Sequence, residues 1–97
     1  MDKVERPVLC PKCNGEYLHP LSVTIDPAGY TGKAVEISCK GVQEKKSDNE
    51  RRGVEIITTF WCEEDHGFMR IETFHKGQTL VVYVMIEGFA PEEIWRD

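Results

Sequence analysis

Two short stretches of this chain hold side chains that can ligate a metal: Cys10-Pro-Lys-Cys13 followed by Gly15, and Cys62-Glu-Glu-Asp-His66 followed by Gly67. A Cys-x-x-Cys turn points backbone amides at the thiolates and lets both sulfurs reach one ion at ~2.3 Å. One such pair alone says little; a second ligand pair, also on a turn beside a strand pattern, completes a tetrahedral set. Cys10, Cys13 and Cys62 are therefore expected to bind a structural zinc. His66, Asp65 and His19 compete for the fourth place. His66 is preferred, because imidazole is a common zinc ligand and its spacing from Cys62 falls in the usual range. Asp65 stands where a second Cys-x-x-Cys would put its last cysteine, and His19 would reach the ion only if its strand bends back.

The cysteines could instead pair as disulfides, but a reducing cytosol disfavours that and the close Cys10–Cys13 spacing suits a metal. Cys39 shares the alternation of Val35 and Ile37 and is expected in the core as a small hydrophobe. A structural zinc of this kind contributes on the order of 10 kcal/mol to folding, comparable to the whole net stability of a domain.

The elements that must position these ligands read as β. Glu16 to Ile25 is an extended segment kinked at Pro20, and Asp26-Pro27-Ala28-Gly29 is a turn. Lys33 to Lys40 alternates apolar and polar residues, as a half-buried strand does. Gly41 to Gly53 is mostly polar and predicts a long, mobile hairpin loop. Val54 to Trp61 predicts a central strand, and Phe68 to His75 its hairpin partner around the Cys62–His66 turn. His75-Lys76-Gly77-Gln78 is a tight turn into Thr79 to Ile86, a strand apolar on both faces that belongs in an interior or at an interface. Pro91, Glu92 and Glu93 suit the first turn of a short terminal helix ending near Trp95. The expected fold is mainly β: a zinc-ribbon-like antiparallel sheet of about five strands with a short C-terminal helix, residues 1–97 forming one domain.

The chain has 97 residues, 40% of them hydrophobic and 30% charged, the composition of a soluble globule and not of a disordered tail. No apolar run approaches the roughly 20 residues that cross a bilayer. The charged start, Met1 to Arg6, offers no secretory signal, so a cytoplasmic location is expected. The formal charge is −5, and zinc on three thiolates would leave it slightly more negative. Nucleic-acid binders usually carry a basic excess.

The run Cys10-Pro-Lys-Cys13-Asn-Gly-Glu-Tyr-Leu-His19, then Phe60-Trp-Cys62-Glu63, then His75-Lys-Gly-Gln-Thr79, resembles a group of small uncharacterised zinc-ribbon proteins of bacteria, phages and prophages. That resemblance implies the fold and the metal and carries little about function. The group's second knuckle is usually Cys-Glu-x-Cys, matched here at Cys62 and Glu63 and broken at Asp65, where His66 can compensate.

Catalysis is not expected. Four protein ligands close a zinc site, whereas a catalytic zinc keeps a position open. The nine residues before Cys10 hold no His-x-Glu of the zinc-deaminase pattern, and no βαβ context supports thioredoxin-like chemistry at Cys10 and Cys13. The expected role is a protein-binding adaptor or modulator, with Leu80 to Ile86 and Ile94-Trp95 as candidate surfaces. The alternative is a nucleic-acid-binding zinc ribbon that uses the 40–53 loop, where Lys45, Lys46, Arg51 and Arg52 lie near Tyr17 or Trp61.

Overall fold

The structure, a computed structural model, describes residues 2–27, 31–47, 53–89 and 91. Its strands are β1 (Leu18–Asp26), β2 (Lys33–Ser38), β3 (Gly41–Lys46), β4 (Val54–Cys62), β5 (His66–His75) and β6 (Gln78–Ile86). They form one six-stranded sheet in the order β3-β2-β1-β4-β5-β6. Every neighbouring pair is antiparallel. Two three-stranded meanders thus lie side by side and join where β1 pairs with β4, the central seam expected of residues 54–61.

Turn chemistry sets the register. Lys76 and Gly77 both have positive φ, 52° and 78°, which is the two-residue I′ hairpin whose twist matches that of the strands it joins. Pro20 cannot donate to a ladder, and the β1–β4 register slips between Pro20 and Ser22, leaving a bulge at Leu21. The kink read from the proline is this bulge.

Register also sorts the side chains onto two faces, because directly opposed residues point the same way. Leu18, Phe60, Cys62, His66 and Phe68 share one face, here called the cysteine face, while His19, Trp61 and Gly67 share the other. Burial concentrates at one end of the cysteine face. Phe68, Cys10 and Cys62 are the largest fully buried side chains, with Leu18 and Phe60 packed against them. The Phe60 and Phe68 rings stack 5.3 Å apart.

Elsewhere the sheet has no second layer among the described residues. Ile25, Val35, Ile37, Phe74, Val81 and Tyr83 all lie on the cysteine face by register and are 38 to 46% exposed. The accessible surface is 7447 Å², well above the roughly 5,700 Å² that a compact chain of this mass shows. Among the described residues no helix is long and apolar enough to cross a membrane.

Three expectations need correction, and a fourth falls outside the described residues. There are six strands and not five, because Gly41 to Lys46, expected in a loop, pairs residue for residue with β2. No helix occurs among the described residues; the expected terminal helix falls on 90 and 92–97, which lie outside them. Cys39 is exposed in the β2–β3 turn and not in the core, and Val35 and Ile37 beside it are exposed rather than half-buried. Their alternation is real, but among the described residues no layer covers the face it creates. Finally, β6 is an edge strand exposed along almost its whole length, so packing in an interior does not explain its apolar composition.

Asparagine tolerates the left-handed conformation that Lys76 occupies far better than a long side chain does. Lys76→Asn is expected to stabilise the protein by about 0.5–1 kcal/mol, read as a higher urea midpoint at unchanged slope, and Lys76→Val to lower the midpoint.

Candidate metal centre

Two hairpin-like loops converge on the buried end of the cysteine face. In the first, the Asn14 amide donates to the Cys10 carbonyl at 2.8 Å and the Cys10 amide to the Gly15 carbonyl at 3.0 Å. Asn14 takes φ 61° to close the turn. Gly15 leaves the sulfurs room: a Cβ there would press on the Cys13 sulfur at 3.2 Å and touch the Cys62 sulfur at 3.5 Å.

The second loop, Glu63, Glu64 and Asp65, joins β4 to β5. The Asp65 amide donates to the Cys62 carbonyl at 2.8 Å, and Asp65 itself has φ 69°. A turn followed by one left-handed residue is the usual three-residue hairpin connection. Its consequence is that Cys62 and His66 face each other directly across the strands, with both side chains on the cysteine face. The Glu64 amide lies 3.4 Å from the Cys62 sulfur, and the Glu63 amide donates to the Tyr17 carbonyl at 3.1 Å, tying this loop to the chain that follows the first.

The ligand atoms of Cys10, Cys13, Cys62 and His66 all lie within 4.8 Å of one another. Cys13 Sγ is 3.6 Å from Cys62 Sγ, and Cys10 Sγ is 3.6 Å from His66 Nδ1. A tetrahedron with Zn–S ~2.3 Å and Zn–N ~2.05 Å has edges of about 3.8 Å between sulfurs and about 3.6 Å from sulfur to nitrogen. The donor set and its spacing therefore fit a tetrahedral ion. Cys10 and Cys62 are buried, His66 half-buried and Cys13 exposed.

Of the three residues that compete for the fourth place, the structure brings only His66 to the sulfurs. Asp65 accepts instead from the Trp61 indole at 3.4 Å, and His19 pairs with Glu63 at 2.9 Å with its ring 5.5 Å from that of Trp61 on the opposite face. The signal in the sequence was the hairpin: aspartate is a residue that tolerates the left-handed position, and the next residue must then oppose Cys62. Gly67 was read only as the end of that turn. It is buried, and any Cβ there would clash with the Phe89 ring, which packs on it.

Burial raises the Cys10 thiol, but the amides of Cys13 and Lys12 and the nearby His66 and Cys13 side chains more than offset this, and its pKa falls to about 7. Burial pushes the Cys62 thiol up to about 11, against the Glu64 amide and together with the Cys13 and Cys10 sulfurs. Metal binds the thiolates, so affinity rises with pH. Near neutrality Cys62 must always release a proton on binding, whereas Cys10 must do so only below about pH 7. A plot of the logarithm of the metal affinity against pH, measured by competition with a chromogenic chelator, is expected to steepen by about one proton on crossing below pH 7. An unchanged slope would show that the Cys10 thiol does not titrate near pH 7.

No protein-family model, no curated protein and no solved structure matches this chain, and the family resemblance of its motifs gains no support from them.

Proposed function

We propose that the ion is zinc, that it is structural, and that the chain is a protein-binding module which presents its open sheet to a protein partner. The observation that carries this reading is the uncovered apolar band on the cysteine face, continuous with a centre whose donors already number four. Zinc suits a set of three thiolates and one imidazole, and four protein ligands leave no open position for substrate. The ion then acts by fastening the N-terminal loop over Phe68, and a reducing cytoplasm would keep its thiols available.

Arg70 supports the same reading. By register it lies on the cysteine face between Thr58 and Tyr83, and its Nε is buried with no hydrogen-bond partner. An unsatisfied buried donor costs about 1–3 kcal/mol. A partner that supplies a carboxylate or carbonyl there would satisfy it while covering the apolar band.

The nucleic-acid reading has less behind it. Lys45 is held by Glu36 at 2.6 Å and Lys33 by Glu44 at 3.1 Å, so two of the four lysines of the β2–β3 hairpin already face acids. Arg51 and Arg52 lie outside the described residues.

Two experiments test the proposal. Native mass spectrometry is expected to show one zinc per chain, cobalt substitution to give the spectrum of a tetrahedral thiolate site, and a strong chelator to abolish the cooperative melt; an unchanged melt without metal would end the structural-zinc reading. For the surface, cross-linking capture with the wild type is expected to retain specific proteins that Ile37→Asp and Arg70→Met lose. Arg70→Met, which removes the orphaned donor, should at the same time raise the stability of the isolated chain by about 1 kcal/mol. Captured nucleic acid in place of protein would reverse the ranking.

A further inference from the structure

The two edges of the sheet are built differently. β3 is six residues long and carries Glu44, Lys45 and Lys46, the charges with which natural proteins guard an open edge against pairing. β6 is nine residues long, Gln-Thr-Leu-Val-Val-Tyr-Val-Met-Ile, with no charge and no proline. Leu80 is 56% exposed and Val82 50%. Such an edge left bare in water is an aggregation site unless something ordered pairs with it.

Hairpin geometry shows which backbone groups are open. The two-residue loop Lys76-Gly77 closes on the hydrogen-bonded pair His75–Gln78, so hydrogen-bonded pairs recur at every second residue from there. Gln78, Leu80, Val82, Val84 and Ile86 thus bond inward to β5. Thr79, Val81, Tyr83 and Met85 turn their N–H and C=O groups outward. This outward row is self-complementary. If a second β6 lies antiparallel about a two-fold axis at Val82, Thr79 faces Met85 of the other copy and Val81 faces Tyr83, and every outward group finds a partner. The same register brings Lys76, just before the strand, beside Glu87 of the other copy, just after it. Lys76 and Glu87 are the only charges within two residues of β6, so the chain's −5 charge does not oppose this pairing locally.

We infer that β6 is the interface of a two-fold homodimer, in which two sheets join edge to edge into one continuous sheet centred on Val82. Pairing the two strands and their half-exposed side chains hides on the order of 1,000 Å², the lower limit for a specific interface. An isologous contact of this kind closes on itself and consumes the open edge, leaving the guarded β3 edges outermost. The inference does not need the sheet face to have another partner, since it uses backbone groups at the edge.

Sedimentation equilibrium is expected to give twice the 11.1 kDa of one chain. Val81→Pro removes an outward N–H and leaves the β5 ladder intact, so it should yield a folded monomer with an unchanged β-sheet circular dichroism spectrum. Register is read by oxidation in a Cys39→Ser parent with zinc bound. At the axis Val82 meets its own copy as a non-hydrogen-bonded pair with Cα atoms about 4.5 Å apart, within disulfide reach, so Val82→Cys should cross-link. Leu80→Cys, about 13 Å from its copy in this register, should not cross-link above the parent. A wild-type monomer at high micromolar concentration, a dimer that Val81→Pro leaves intact, or a dimer that Val82→Cys does not cross-link would each overturn the inference. A monomer would leave the proposal about the sheet face standing.

Discussion

The structure depends on one convergence: the sulfurs of Cys10, Cys13 and Cys62 and the imidazole of His66 meet at the end of the sheet. Cys10 and Cys62 are also, with Phe68, the largest fully buried side chains. The cluster therefore occupies the place that a second layer of hydrophobic side chains fills in most small domains. Burial, with the neighbouring Cys13 and Cys10 sulfurs, disfavours the thiolate form of Cys62. An ion binding all three sulfurs as thiolates would offset that cost and make a tie between the two loops. Gly15 and the left-handed Asn14 and Asp65 are the local concessions that let two loops approach closely enough to make it.

Because the core is gathered at one end, the rest of the sheet is a single layer. A sheet ordinarily buries at least one face against another element, and here the cysteine face beyond Phe60 and Phe68 remains open with Ile25, Val35 and Ile37 exposed. On that face the Arg70 Nε is enclosed and unpartnered, a donor that water does not satisfy. The uncovered face and the unguarded β6 edge go together with a core gathered at the cysteine cluster, where a bound metal would stand in for a larger core.

The sequence was most legible where local chemistry decides the outcome. Lys76-Gly77 specified its turn, Pro20 its irregularity, and the alternation of Val54 to Trp61 its central strand, because each acts through backbone conformation or a period of two. It was least legible at β3. Gln43, Glu44, Lys45 and Lys46 carry no apolar alternation, and that strand is held by its ladder to β2 and by the ion pairs Lys45–Glu36 and Lys33–Glu44. Cys39 was misplaced for the converse reason. Alternation marks a face, but only tertiary packing says whether anything covers it. The proximity of His66 to the sulfurs follows from the hairpin: once Asp65 takes the left-handed position, strand pairing alone sets His66 opposite Cys62.

Phe68 links these features. It packs against the buried cysteines, stacks on Phe60 and lies 6.1 Å from the Tyr83 ring on β6. A single side chain thus spans the distance from the metal cluster to the edge strand. Loosening the N-terminal loop would expose Phe68 on the same face that carries Ile56, Arg70 and Tyr83, and would remove the packing that orients Tyr83 at the edge. An ion held at the cluster would therefore act on the open face and the β6 edge through packed aromatic rings, by keeping the buried Phe68 ring in place against Phe60 and Tyr83.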